Sequence, residues 1–146
     1  FQKSRHYELL REGNPDTPTC VTCHGNVGAF LLSPKSLYSE CSNCHAAGKV
    51  APRGDFPAEG KIVLTSVQEV RASLDEAKTL IKRVTDKARR ESLEAELEDA
   101  RTPLLEAVHF AHMFVFDRMQ DRLFIARKRA EMLIEQAANP GPPEGE

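Results

Sequence analysis

Two copies of one pattern, C-x-x-C-H, constrain this chain more than any other feature. They span Cys20–His24 and Cys41–His45, and together they contain all four cysteines of the 146-residue sequence. In each copy two thiols stand three positions apart, and an imidazole directly follows the second thiol. Cys, Cys and His at these offsets point to one rigid, planar partner that requires all three.

The pattern is the attachment site of a c-type haem. The two thiols become thioethers with the vinyl groups on one side of the porphyrin, and the next imidazole binds the iron as its proximal ligand. We therefore predict two haem c groups. The predicted thioether residues are Cys20, Cys23, Cys41 and Cys44, and the predicted proximal ligands are His24 and His45.

A zinc site is the strongest competing interpretation. The 17 residues between Cys23 and Cys41 (24–40) also suit a four-cysteine zinc ribbon. Such a site needs no histidine, so a histidine after both second cysteines would be a coincidence on the order of one in a thousand. Disulfides would close strained loops between cysteines three apart and leave the histidines unexplained.

With these motifs, residues 20–45 resemble the multihaem c-type cytochromes, in particular those with a doubled CXXCH motif. The resemblance implies two haems within electron-transfer distance, usually with a histidine on both faces of each iron. The helical C-terminal half, with Ala107-Val108-His109-Phe110, is also similar to the helical end of the nitrite reductase and hydroxylamine oxidoreductase multihaem group. This chain has two haem motifs rather than five or more, and it has no C-x-x-C-K.

Three histidines remain for the two open iron positions. His6 precedes the first motif, and the resemblance implies that a histidine placed there is a distal ligand. His109 and His112 share a helix face, about 60° and 4.5 Å apart, and we expect one of them to be the other distal ligand. Its neighbour would bond a propionate, support the first imidazole or ligate a haem of an adjacent chain. Met113 and Met119 are alternative iron ligands whose ordinary role is to fill a helix core.

The net charge of the chain limits the kinds of partner that it can bind. The formal net charge is −2, from 20 Lys plus Arg against 22 Asp plus Glu, which excludes nucleic-acid binding driven by bulk charge. Four haem propionates would make the protein more acidic, so we expect redox partner proteins with a basic docking face. The predicted propionate donors are Arg5, Lys49, Arg53 and Lys61.

The predicted fold class is mainly α. Residues 4–12 predict a short helix that Ser4 caps, and the prolines and glycines between residues 14 and 60 predict a loop-rich segment around the haems. The run 61–65 predicts a strand or an extended crossing. We divide the chain into a dihaem segment (1–60), a long antiparallel helical hairpin (61–138) that supplies a distal ligand and an oligomerisation surface, and a disordered tail (139–146).

The hairpin is predicted from capping signals and apolar periodicity. Ser66-Val67-Gln68-Glu69 matches a capping box that begins the first helix, and a phase shift predicts a break near residues 89–92. Thr102-Pro103 predicts the start of the second helix. The first apolar seam is Val67, Val70, Leu74, Ala77, Ile81, Val84 and Ala88. The second includes Leu104, Val108, Val115, Met119, Leu123, Ala126, Ala130 and Leu133.

Apolar residues outside the seams need cover, so we expect a homo-oligomer or a subunit of a larger redox complex. They are Phe114, Phe116, Phe124, Ile125 and Ile134.

Two histidines on each iron would close it to substrates, so we expect an electron-transfer protein or subunit rather than an enzyme. A haem enzyme or a gas-binding or small-ligand-binding protein with one open iron is the alternative, and a zinc-stabilised coiled-coil interaction protein is the second. Covalent haem attachment follows export, which predicts a periplasmic or otherwise extracytoplasmic protein. No apolar run approaches the roughly 18 residues that a membrane span requires.

Overall fold

The computed structural model describes residues 1–25 and 32–139, and within them the protein is mainly α-helical with no strand. This confirms the predicted fold class at that level. The helices are α1 (Arg5–Arg11), α2 (Cys20–His24), α3 (Pro34–His45), α4 (Phe56–Ile81), α5 (Lys87–Ala111) and α6 (Phe116–Ala138). Of the predicted disordered tail, residues 140–146 lie outside the described residues.

The chain forms two compact units. The first holds Phe1–Ser66 and His109–Asp117, and the second holds Val67–Val108 and the residues from Arg118 onward. α4 passes from the first unit into the second, α5 returns to the first, and α6 leaves it again. The first unit therefore contains both C-x-x-C-H motifs and all five histidines.

Side-chain caps begin the short helices of the first unit. Ser4 is buried, and its Oγ accepts a hydrogen bond of 3.2 Å from the backbone N–H of Tyr7, which confirms the predicted cap of α1. At α3 the Oγ of Ser33 accepts a hydrogen bond of 3.0 Å from the N–H of Ser36, and Pro34 occupies the first turn. This 12-residue helix lies inside the stretch that we expected to be loop-rich.

α4 begins well before the predicted cap at Ser66. Its first residue is Phe56, so Ser66 lies inside the helix and does not cap it, and the predicted strand at 61–65 is helical. Pro57 is in the first turn, where the missing N–H has no helical partner to lose.

Gly60 in the next turn of α4 is buried at a close approach to α3. A Cβ at Gly60 would lie 3.6 Å from Cδ2 of Leu37 and 3.9 Å from Sγ of Cys41. These are ordinary van der Waals separations, so a Cβ would fit here, and Gly60 lies in a packed part of α4 and not at the end of a helix.

The break between the long helices falls at residues 82–86 and not near 89–92. Asp86 begins α5, because its Oδ1 accepts a hydrogen bond of 2.7 Å from the backbone N–H of Arg89. The predicted seam ends with α4 at Ile81, so Val84 is only half-buried and Ala88 is exposed.

Pro103 does not begin a helix but lies buried within α5, so the prediction based on Thr102-Pro103 is wrong. A proline in a helix cannot donate to the carbonyl four residues earlier, which here belongs to Asp99. Arg129 of α6 takes that place, since its Nη1 donates to the Asp99 carbonyl at 2.9 Å. α6 thus satisfies the carbonyl that the proline leaves open.

Three helices, and not the two of the predicted hairpin, build the second unit. Arg127 of α6 pairs with Glu69 of α4 at 2.6 Å, and Arg122 of α6 pairs with Glu106 of α5 at 3.3 Å. The buried residues include most of both predicted seams: Val67, Val70, Leu74, Ala77, Ile81, Leu104, Met119, Leu123, Ala126, Ala130 and Leu133. Leu93, Leu97 and Ala100 of α5 are buried as well.

Across the described part of the chain, every helix is too short or too polar to cross a membrane.

Candidate functional site

Both C-x-x-C-H motifs lie on helices of the first unit. The first motif is the whole of α2, and the second forms the end of α3. Positions i, i+3 and i+4 share one face of an α-helix. The two sulfurs and the imidazole of each motif therefore project to the same side, as attachment to a single planar group requires.

His45, of the second motif, is held by the segment that follows α3. Its Nδ1 lies 2.8 Å from the carbonyl oxygen of Ala51, to which the Nδ1–H donates. The backbone N–H of Ala51 donates to the Cys44 carbonyl at 3.0 Å, and that of Arg53 donates to the His45 carbonyl at 2.8 Å. A histidine oriented through Nδ1 leaves Nε2 for a metal.

His6 of α1 faces His45. Their ring centroids are 6.0 Å apart and their planes are inclined by 45°. A metal–imidazole bond is about 2 Å, and each nitrogen lies roughly 1 Å from its ring centre, so two imidazoles on opposite sides of one metal have centroids about 6 Å apart. The separation matches that of two axial ligands.

The imidazole of His6 also lacks a partner on its buried side. Its Nδ1 is buried with no hydrogen-bond partner among the described residues. Burial, and secondarily the charge of His45, lowers the pKa of His6 and favours the neutral ring. A neutral imidazole is the form that binds metals. These observations fit an iron ligand.

A cavity of about 440 Å³ is lined by His6, by His45 and by Cys44 of the second motif. This volume lies within the range of cofactor sites, about 300–1,000 Å³. Two of the predicted propionate donors, Arg5 and Arg53, also line the cavity. The other two, Lys49 and Lys61, are not among the described residues that do so.

The two arginines differ in their contacts. Arg5 is paired on the surface with Glu8 at 2.9 Å and with Glu12 at 3.6 Å. The guanidinium of Arg53 lies over the ring of Phe56, 4.9 Å from its centroid. Arg53 is therefore the donor whose approach to a propionate would displace no acidic partner.

His24, of the first motif, pairs with His112 in the turn between α5 and α6. The centroids are 6.2 Å apart and the planes are inclined by 18°. The centroid separation is therefore similar at both motifs, although the ring planes are inclined differently. Both side chains of this pair are exposed, whereas His6 and His45 are half-buried.

Of the two candidates, His109 at the end of α5 and His112 in the turn after it, only His112 meets a motif histidine in the described structure. His109 is exposed, and its ring contacts that of Phe110 with centroids 6.1 Å apart. The helix periodicity left His109 and His112 equivalent as candidate ligands, and their ring contacts differ.

The two motifs lie near each other, because α2 contacts α3. Burial raises the pKa of Cys41 to about 11, with further contributions from Cys23 and Glu40, and burial also raises the pKa of Cys23. In the chain without a bound group, these surroundings favour the protonated thiols.

Within residues 1–25 and 32–139 no group of three or more His, Cys, Asp or Glu side chains is arranged to hold a metal ion. Each histidine pair offers two imidazoles, with ring centroids 6.0 or 6.2 Å apart. The four nitrogens of a porphyrin would supply the remaining ligands of a six-coordinate iron.

Aromatic residues around His6 and His45 are the part of the site that sequence reasoning missed. The rings of Phe114 and His6 meet edge to face with centroids 4.5 Å apart. The ring centroids of Phe56 and His45 are 5.2 Å apart. Phe116 stacks on Phe56 at 4.7 Å. We predicted that Phe114 and Phe116 need cover from a second chain, but both pack against rings within the first unit.

The two methionines that we considered as iron ligands lie in different surroundings. Met113 lines the cavity of the second motif. Met119 is 2% exposed and belongs to the core of the second unit.

No protein-family model matches the chain, and no curated protein or solved structure matches it either.

Proposed function

We propose that the protein is a dihaem c-type cytochrome that transfers electrons. One haem would be attached to Cys20 and Cys23, and the other to Cys41 and Cys44. The observation that carries the proposal is that each motif histidine faces a histidine from elsewhere in the chain, with centroids 6.0 Å apart in one pair and 6.2 Å in the other.

The proposed ligand sets are His45 with His6 and His24 with His112. A bound haem iron supplies a reversible change of valence by one electron. The protein's part is to hold an imidazole on each face, through the carbonyl of Ala51 in the case of His45. With a histidine on each side, a bound haem would have no position open to water or substrates, which suits a relay better than catalysis.

The same proposal covers organisation and location. Residues 1–60 are the segment that carries the haems, and the helices that follow return His112 to it. Membership of the multihaem c-type cytochromes, an extracytoplasmic location and redox partner proteins are parts of the proposal that rest on the two motifs. A homo-oligomer or a place in a larger redox complex rests on the apolar side chains left exposed on the second unit, among them Phe124 and Met132.

Haem counting in the purified protein tests the proposal. The chain is expressed in a host that matures c-type cytochromes, and a reduced-minus-oxidised spectrum is recorded with haem and metal analysis per chain. We expect two covalent haems, both low-spin. Replacing Cys20 and Cys23 by serine should remove one, and replacing Cys41 and Cys44 should remove the other. A colourless protein with zinc and no iron overturns the proposal in favour of the zinc-stabilised alternative.

One observation favours a second function, the binding of a gas or another small ligand at one iron. Both side chains of the His24–His112 pair are exposed, so a ligand from solvent has access to that pair. Carbon monoxide added to the reduced protein distinguishes the two functions. No spectral change supports electron transfer alone, whereas one carbon-monoxide complex per chain that disappears in a Cys20→Ser, Cys23→Ser variant supports the second function.

A further inference from the structure

The turn that joins α5 to α6 contains an unusual backbone conformation. Phe114 has a φ of +58°, and no other described residue except glycine has a positive φ. The N–H of Val115 donates to the Phe110 carbonyl at 3.2 Å, and the N–H of Phe114 donates to the Ala111 carbonyl at 3.0 Å. These two bonds form a Schellman motif with Phe114 at the position that glycine usually occupies. A side chain there is strained, and a bulky one is rare.

The phenylalanine ring makes contacts that glycine could not. Its edge meets the ring of His6, with centroids 4.5 Å apart and planes inclined by 84°. Its centroid also lies 6.4 Å from that of Phe56, and the residue lines the cavity of about 440 Å³. The edge-to-face arrangement is a favourable geometry for two aromatic rings. Strained residues persist where their surroundings demand them, and they cluster at functional sites.

His6 has little else to fix its orientation. It lies on α1, a helix of seven residues of which none is buried. Its Nδ1 has no hydrogen-bond partner in the described part of the chain, whereas the Nδ1–H of His45 donates to the Ala51 carbonyl. Metal-bound histidines are ordinarily oriented by a hydrogen bond from the second ring nitrogen. At His6 the described residues supply no such hydrogen bond, and the ring of Phe114 contacts the imidazole instead.

We infer that Phe114 is a positioning residue, which holds His6 on the iron of the second haem and keeps that iron closed to small ligands. The inference rests on the proposed dihaem function and deepens it. Without the ring, α1 carries an imidazole that nothing orients, and the sixth position of the second iron opens to solvent through the cavity.

The test uses the full-length holoprotein and carbon monoxide, which binds ferrous haem only where an axial position is free. The variant Phe114→Leu keeps an apolar side chain and removes the ring. Phe124→Leu is the control, because it makes the same change at a 62% exposed phenylalanine of the second unit. We expect Phe114→Leu to raise the number of carbon-monoxide-binding haems by about one per chain relative to the unmodified protein, and Phe124→Leu to leave it unchanged.

Two further variants separate positioning from general stability. Phe114→Tyr keeps the ring and should retain the closed, low-spin haem. Phe114→Gly removes the ring but suits the positive φ, so it should fold and still bind the additional carbon monoxide. If Phe114 only stabilised the fold, Phe114→Gly would bind no more carbon monoxide than the unmodified protein.

The inference is overturned if Phe114→Leu and Phe114→Gly both remain low-spin and bind no additional carbon monoxide. That result leaves the dihaem proposal intact, since the unmodified protein would still carry two low-spin haems. Failure of the dihaem proposal would instead appear in the unmodified protein as missing haem, before any variant is made.

Discussion

His112 lies with its ring centroid 6.2 Å from that of His24, whereas His109, one helical turn earlier, contacts the ring of Phe110. We therefore predict that His112→Ala opens the iron of the first haem and that His109→Ala does not. In the first variant one of the two haems should become high-spin and bind carbon monoxide. The control variant should keep the spectrum of the unmodified protein. The reverse pattern would show that His109 is the ligand.

The thiol of Cys41 provides a test that depends on pH. Before haem attachment, burial holds its pKa at about 11 against an ordinary 9.0, so at pH 8 about 100-fold less of it is thiolate. We expect iodoacetamide to alkylate Cys41 in the haem-free chain more slowly than the exposed Cys20, with the rate rising up to pH 11.

The same shift predicts how stability depends on pH. The folded state binds the Cys41 proton more tightly than the unfolded state. The contribution of this thiol to the free energy of unfolding is therefore complete below pH 9 and is lost as the pH rises through about 11. Equal alkylation rates at all four cysteines would show that the haem-free chain lacks the burial described above.

A site residue could be predicted from the sequence where covalent chemistry sets its position in the motif, and could not where only packing sets it. The motif residues could be named because covalent attachment requires them at set offsets. His109 and His112 could not be separated, because helix periodicity gives both one face and does not say where α5 ends. The contact of Phe114 with His6 joins distant parts of the chain and a backbone conformation that favours glycine, so nothing in the local sequence predicts it.

Between elements, the carbonyl of Asp99 couples α5 to α6. Pro103 cannot donate to it, and Arg129 does so at 2.9 Å. We predict that Arg129→Ala lowers the free energy of unfolding by about 1 kcal/mol, measured by urea denaturation of the full chain. In a Pro103→Ala background the helix satisfies that carbonyl itself, so the cost should fall by about 0.5–1 kcal/mol.

Arg122→Ala is the control for this cycle. Arg122 lies on the same helix and pairs with the exposed carboxylate of Glu106 at 3.3 Å. Its removal should cost about 0–1 kcal/mol and should not depend on Pro103. Equal costs of Arg129→Ala in both backgrounds would contradict the coupling.

The helices differ from expectation mainly at prolines and glycines. Pro57 and Gly60 favoured a loop, yet Pro57 lies in the first turn and Gly60 at a close contact with α3. Pro103 resembled a helix start because its support comes from Arg129 on another helix, which no local pattern reveals. Most of the buried residues in the two seams, which start at Val67 and at Leu104, were predictable, since apolar periodicity indicates burial wherever a helix exists.

For the whole molecule, the exposed face of α6 bears on association. Phe124 is 62% and Met132 is 54% exposed, and their spacing puts them on one side of the helix. We predict that the holoprotein sediments as an oligomer at micromolar concentration and that Phe124→Glu with Met132→Glu dissociates it. Leu105→Glu, at a 68% exposed site on α5, should not. A monomeric unmodified protein would contradict the prediction.

The first unit is assembled from two stretches of chain, residues 1–66 and 109–117, and the helical residues 67–108 lie between them in the sequence. In the proposed cytochrome, His6 and His45 both come from the first stretch, whereas His24 needs His112, which follows the whole of α5. Folding after export would therefore be ordered in time. The histidine pair of the second motif could form from the first stretch alone, and the pair of the first motif would form only after the intervening helices have returned the chain to this unit.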